Sequence, residues 1–218
     1  MMSTGFFQKV KLKNTEVIRI KLNFLDTNCY VIYSDAVNFL IDPGSDSEKI
    51  IKHLNERNKD LDFIINTHCH FDHIGAADII SEYFRIPVYI HEKEENLLKD
   101  PYKNMSYFFN SNTILLKTYN IIQGKTVKDF LSKKIDIINT PGHTPGSIII
   151  KYEDYLFTGD LLFRGSVGRT DLPGGNAAQM KKSLNYIKNL DENLVVFPGH
   201  GADTTIGYEL KNNYFLNH

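Results

Sequence analysis

His68, His70, Asp72 and His73 stand within six residues as His-x-His-x-Asp-His, and imidazole and carboxylate at that density form the donor set of a divalent metal ion. At this chain's own usage of histidine and aspartate, the pattern arises by chance in roughly one such chain in a thousand, so composition does not account for it. Three further fragments each add one donor: Pro141-Gly142-His143, Thr158-Gly159-Asp160 and Pro198-Gly199-His200. Each follows a short β-type run, at 135–138, 155–157 and 194–197, and the main motif follows a similar run at 62–65. Donors placed at strand ends converge on one sheet edge.

Seven donors exceed what one tetrahedral ion takes. If Asp160 bridges, His68, His70, His143 and Asp160 serve one ion, and Asp72, His73, His200 and Asp160 serve the other. The expected cofactor is therefore a pair of divalent ions, zinc first, with iron or manganese as alternatives. Two such ions outweigh two aspartates in charge, which predicts a shared water held as hydroxide near neutral pH as the nucleophile, with Asp72 and Asp160 in catalytic positions.

Cys69 lies between two proposed ligands, and in an extended segment alternate side chains face opposite ways, so its thiol should point away from the metal. His53, His91 and His218 read as surface residues. Asp42, in a turn after a strand, suits either an orienting contact to a ligating imidazole or a plain turn.

The elements that must position these residues can be read from periodicity. Runs at 17–22, 28–33 and 37–41 predict an antiparallel meander. Ser45 and Glu48 have capping-box spacing ahead of a helix at 46–57, a strand at 62–66 leads into the metal motif, and a helix at 75–84 precedes a strand at 87–90. A second group of strands is expected at 126–130, 135–139, 147–151 and 155–158. Asn176 and Gln179 then open a helix that runs to about Leu190. Strands, helix, strands, helix suggest an α+β fold: two sheets packed together with helices outside, four layers in all. Residues 91–125, with Tyr102, Tyr107, Phe108, Phe109 and Tyr119, suit a helix and loop folded over the site or over core.

With 218 residues, 42% of them hydrophobic, the chain is long enough for one large domain or two small ones. The donors run from 68 to 200 with no linker-like stretch between them, which favours one domain over 1–218. A net charge of −1 with dispersed lysine and arginine gives no electrostatic reason to expect nucleic acid or an anionic membrane, so a small molecule is the expected partner. Neither a signal-peptide core nor a bilayer-spanning run is seen, and the protein is expected to be soluble and cytoplasmic. Oligomeric state is not legible.

Taken together, Thr67-His68-x-His70-x-Asp72-His73, Gly142-His143-Thr144-x-Gly146, Thr158-Gly159-Asp160 and Pro198-Gly199-His200-Gly201 resemble, in order, the motifs of the metallo-β-lactamase-fold hydrolases. The resemblance covers nearly the whole chain and implies an αββα sandwich with the two ligand sets above. Within that superfamily the chain is most similar to glyoxalase II, the hydroxyacylglutathione hydrolases, and in particular to their short bacterial relatives. The stretch Leu162-Phe163-x-Gly165-Ser166-x-Gly168-Arg169-Thr170-Asp171-Leu172-Pro173-Gly174-Gly175 carries that likeness. True β-lactamases of the fold usually have cysteine where Asp160 stands, and the flavodiiron branch has glutamate where His70 stands.

Only 18 residues follow His200, so the resemblance does not extend to the helical domain with which glyoxalase II grips glutathione. It implies hydrolysis of a thioester such as a hydroxyacyl-thiol, with Arg169 against an anionic part of the substrate unless Asp171 pairs with it. A thiol's pKa near 8.5 lets thiolate leave without a dedicated acid, although a tyrosine such as Tyr107 could serve as one. Two rival readings remain. One is an iron-dependent persulfide dioxygenase, a relative that similarly reads Asn-Thr-His-Cys-His and whose single iron would fall on His68, His143 and Asp160. The other is a non-catalytic metal-binding protein.

Overall fold

Within the strand Asn28–Tyr33, Cys29, Val31 and Tyr33 join one apolar cluster while Tyr30 and Ile32 join another. Side chains alternate across a strand, so a run buried on both faces must lie inside a layered structure, with covering elements above and below. The computed structural model describes residues 7–12, 14–109 and 116–217 and shows those layers.

The first sheet holds seven strands in sequence order: β1 (Phe7–Leu12), β2 (Thr15–Lys21), β3 (Asn28–Tyr33), β4 (Asn38–Ile41), β5 (Phe63–Ile65), β6 (Val88–His91) and β7 (Asn120–Ile122). Its first four strands form the expected antiparallel meander, lengthened at the front by β1. From β4 onward the pairs are parallel, because a helical crossover precedes β5 and another precedes β6. The second sheet, in the order β15-β14-β11-β10-β9-β8, comprises β8 (Thr126–Phe130), β9 (Ile135–Asn139), β10 (Ile148–Tyr152), β11 (Tyr155–Gly159), β14 (Val195–Pro198) and β15 (Thr204–Thr205). A small hairpin, β12 (Leu162–Phe163) with β13 (Ser166–Val167), follows β11.

Between the sheets lies a core rich in aromatics, with Phe39, Phe63, Phe157 and Phe197 fully or almost fully buried. Helices α1 (Ser47–Arg57) and α3 (Ala77–Phe84) bury Ile50, Leu54, Ala77 and Ile80 against the outer face of the first sheet. Helix α6 (Ala177–Ile187) buries Met180, Leu184 and Ile187 against the second, joined there by Ile206 of α7 (Ile206–Asn212) and Leu216 of α8 (Tyr214–Asn217). The order helix, sheet, sheet, helix is the expected four-layer α+β sandwich.

One local expectation fails for a tertiary reason, and one helix starts later than expected. The Ser45/Glu48 capping box does not form: Asp46 occupies the N-cap in a left-handed conformation with no side-chain cap, and its carboxylate instead accepts from the backbone and side-chain nitrogens of Asn23. The helix expected at 75–84 forms as α3, starting two residues late, and a separate turn, α2 (Phe71–Ile74), precedes it. Where the two meet, Pro43 O accepts from Ala76 N at 2.9 Å and Asn66 Nδ2 donates to His73 O at 2.7 Å, so distant groups satisfy the backbone there.

Among the described residues of the 91–125 stretch are a 3-10 turn (Glu92–Glu94), then α4 (Glu95–Leu98) and α5 (Ser106–Phe109), with β7 completing the sheet edge; residues 110–115 lie outside the described residues. At α6, Asn176 Oδ1 accepts from Gln179 N at 2.9 Å, as the capping spacing predicts.

Phe157 is the packing test, because its ring meets Tyr30 across the inter-sheet core and Phe197 on the neighbouring strand. Phe157→Ala should destabilise the protein by about 3–5 kcal/mol. Urea unfolding monitored by circular dichroism should show a lower midpoint with an unchanged m-value.

Candidate metal centre

Strands β5, β9, β11 and β14 all end at one edge of the sandwich, and each is followed by a donor. His68 and His70 lie on the loop after β5, Asp72 and His73 on the single turn α2, His143 after β9, Asp160 directly after β11 and His200 after β14 with Gly199 between. β9 and β11 run alike because each is antiparallel to β10, and β14 is parallel to β11. Two sheets thus deliver seven donors to one place.

There the side chains form three overlapping groups whose ligand atoms lie within 4.8 Å of one another: His68, His70 and His143; His68, His73 and Asp160; Asp72, His73 and His200. Asp160 sits between the first and the last. Its Oδ1 is 3.5 Å from His73 Nε2, while its Oδ2 is 3.5 Å from His143 Nε2 and 3.6 Å from His200 Nε2. Asp72 Oδ2 lies 3.3 Å from His200 Nε2 and accepts from Thr27 Oγ1 at 2.9 Å.

Outer partners fix the orientation of four imidazoles. His73 Nδ1 donates to Asp42 Oδ2 (2.9 Å), His143 Nδ1 to Arg169 O (2.8 Å) and His200 Nδ1 to Leu25 O (3.2 Å). His68 Nδ1 donates to Thr67 Oγ1 (3.2 Å), whose own hydroxyl proton goes to Asp42 Oδ2 (2.6 Å). With Nδ1–H committed, each ring turns an Nε2 lone pair inward, the tautomer that binds a metal. Asp42 therefore has the orienting contact that its turn position allowed.

The donor set fits a cation. His68 Nε2, His73 Nε2 and Asp160 Oδ1 are buried without a hydrogen-bond partner, and His70 Nδ1 faces His143 Nε2 at 2.9 Å, an arrangement that is costly unless a positive ion meets those lone pairs. Burial, then the neighbouring imidazoles, push the His68 and His70 rings well below the usual histidine pKa, which keeps them in the neutral, ligating form. Burial opposes a proton on His73, but Asp72, Asp160 and Asp42 outweigh it and raise its pKa to about 10. A field that favours a proton at that nitrogen also favours a cation beside it. Asp72 is held well below the ordinary carboxylate range, burial being outweighed by His73 and His200.

Backbone close approach completes the construction. A Cβ at Gly199 would collide with Asp160 Oδ1 and His73 Cε1, and one at Gly44 would overlap the Asp72 carbonyl. Only glycine leaves room at either place.

Several functional residues escaped the sequence reading. Glu94, in an acidic stretch, is buried and accepts from Cys69 N (2.7 Å), Gly146 N (2.7 Å) and Thr144 Oγ1 (2.7 Å), tying the loop of His68 and His70 to the loop of His143. Burial raises its pKa against those three bonds. Thr27 and Leu25 carry no local signal at all, and Asn66 is legible only as the start of the Asn-Thr-His-Cys-His motif. His91, expected at the surface, is buried, donates Nε2 to Gly124 O (3.2 Å) and accepts from Lys93 N. His53 is half-buried rather than freely exposed, and His218 lies outside the described residues. Cys69 turns into the helix-side core, and burial, then Glu94 and Asp42, raise its thiol pKa far above the usual value.

A cavity of about 380 Å³ opens onto the cluster, lined by the donors His70, Asp72, His143, Asp160 and His200 and by mostly apolar walls. Arg169 is at its rim, with its guanidinium bound through Nε and Nη2 to Asp171 at 2.7 Å each, the pairing alternative of the sequence reading. Tyr107 is not a lining residue: it stacks on Tyr102 at 4.1 Å, and Met105 and Phe109 of the same segment face the cavity instead.

Residues 22–200 match the model of the Metallo-beta-lactamase superfamily. The chain belongs to that superfamily. It is 36% identical over 203 residues to the probable metallo-hydrolase YqgX of Bacillus subtilis (strain 168), covering 91% of this chain and 96% of the relative. It is also 32% identical to the hydroxyacylglutathione hydrolase GloC of Haemophilus influenzae, covering 94% of this chain and 98% of the relative. Among solved structures it resembles BLEG-1 B3 metallo-beta-lactamase, with a TM-score of 0.83, 39% identity and coverage of 92% and 99%. It similarly resembles TTHA1623 in a di-iron-bound form, with a TM-score of 0.82, 31% identity and coverage of 90% and 98%. Among the described residues no helix is long and apolar enough to cross a membrane.

Two variants test the geometry. Asp42→Ala should weaken metal binding by about 10–100-fold, as loss of an imidazole's outer carboxylate does, read by competition with a chelator. Cys69→Ser should keep its full metal content; marked loss would show that the thiol faces the ion.

Proposed function

We propose that this superfamily member hydrolyses a thioester with two divalent ions, one on His68, His70, His143 and Asp160 and the other on Asp72, His73, His200 and Asp160. The coarse reading, a metal-dependent hydrolase with a His/Asp metal-binding cluster, rests on membership and on the cluster itself. When bound, two such ions supply a water that is deprotonated near neutral pH and an electrophile for the carbonyl oxygen.

The protein's share is placement and exclusion. Asp42, Thr67, Arg169 O and Leu25 O hold four imidazole planes in register, so their lone pairs need no reorganisation when substrate arrives. The Asp160 carboxylate spans the two donor groups and sets their separation. Phe71, Phe163 and Leu172 shed water from the mouth, which strengthens the electrostatics inside.

One observation carries the choice of thioester: among the described residues, no tyrosine, lysine, cysteine or glutamate lines the cavity, and its one arginine is committed to Asp171. A leaving amine needs a proton from an acid, whereas a thiolate departs unprotonated near neutral pH. The likeness to GloC points the same way.

Metal quantification on protein purified without added metal, followed by a panel of thioester, β-lactam and persulfide substrates, tests the reading. Two metal equivalents and thioester turnover are expected, with Asp160→Ala losing bound metal and at least about a hundredfold in rate, beyond the loss for an outer partner. One iron per chain with sulfite production would replace hydrolysis by a dioxygenase reaction. Full metal occupancy in Asp160→Ala would refute the shared carboxylate.

A further inference from the structure

The walls of the cavity are more apolar than hydrolysis alone requires. Phe71 and Phe109 stack with centroids 5.0 Å apart and planes at 26°, and Phe24 stands edge-on to both at 5.2 and 6.1 Å. The same cavity is lined further by Phe163, Val167 and Leu172. Phe163 also meets the His200 ring edge-on at 6.0 Å, so the apolar lining reaches the donors themselves.

Leu25 joins this lining in an unusual way. Its φ is 52°, in the left-handed region that a leucine rarely adopts, and its side chain is 46% exposed. The same residue's carbonyl accepts from His200 Nδ1. A backbone conformation that costs free energy thus holds a ligating histidine and presents an aliphatic side chain to the cavity.

Polar groups for an acyl chain are few. Beyond the donors, the lining offers the Ser166 hydroxyl and the Arg169 guanidinium, which Asp171 already holds in a two-point pair. A hydroxylated or carboxylated acyl group would give up hydration for little return, while an alkyl or aryl group gains from every atom it buries. A cavity of about 380 Å³ has the room of roughly a dozen waters, enough for a medium-length alkyl chain or one aromatic ring.

We propose that the acyl half of the substrate is an apolar group, medium-chain alkyl or aryl, seated in the cavity lined by the Phe71–Phe109 stack and by Phe163, Val167 and Leu172. The proposal rests on the thioester reading and names the class of acyl group that site takes. A small hydroxyacyl group would leave these side chains in contact with water.

The test uses metal-loaded protein and N-acetylcysteamine thioesters carrying acetyl, lactoyl, hexanoyl and benzoyl groups. kcat/KM should rise about tenfold or more from acetyl to hexanoyl and to benzoyl, with lactoyl no better than acetyl. Phe109→Ala and Leu172→Ala should each shrink the hexanoyl-to-acetyl ratio with bound metal unchanged. A flat series, or a preference for lactoyl, overturns the proposal.

Calorimetric binding of hexanoate and lactate to the same protein supplies a readout independent of turnover. If no thioester is hydrolysed, the hydrolase reading falls and binding still decides: tighter hexanoate supports an apolar acyl site, and equal or tighter lactate overturns it.

Discussion

Buried lone pairs with nothing to bond to are the constraint around which this molecule is arranged. His68 and His73 each bury an Nε2, and Asp160 an Oδ1, without a hydrogen-bond partner, within one cluster of donors. In a low-dielectric interior such groups oppose folding unless a cation meets them, so metal binding and the stability of this edge of the sandwich are linked. The rest of the fold supplies enough apolar burial elsewhere to hold them together.

That holding is done by a few buried polar stitches rather than by the donors. Asp42 accepts from Thr67 N, Thr67 Oγ1 and His73 Nδ1, so one carboxylate governs two imidazoles, one directly and one through a hydroxyl. Glu94 ties together two donor-bearing loops that lie about 75 residues apart in sequence. Asn28 and Tyr30 of the first sheet donate to Pro198 O, and Asn28 also to Gly201 O, pinning the His200 loop of the second sheet. Each bond crosses between elements, which is why the centre needs both sheets at once.

The cavity separates two kinds of chemistry. Its floor concentrates charge and directed lone pairs; its walls are aromatic and aliphatic. Water exclusion by the walls strengthens the electrostatics of the floor. The Leu25 turn links the two, since one residue contributes its carbonyl to His200 and its side chain to the wall.

Much of this was legible along the chain. Donor types and spacing named the metal-capable residues, period-2 runs placed the strands that carry them, and Asn176 marked the start of α6, because each of these signals is local. What was not legible depends on partners far away in sequence. Glu94 sits in an acidic stretch and is buried only once Cys69, Thr144 and Gly146 close over it; Asp46 exchanges a helix cap for Asn23; Tyr107 yields its place at the cavity to Met105 and Phe109. Residue type and order thus determined which atoms can hold a metal and roughly where strands and helices fall. Tertiary structure decided which way each imidazole faces, which acid is buried and which side chains line the cavity, since burial and hydrogen-bond partners exist only once distant segments meet.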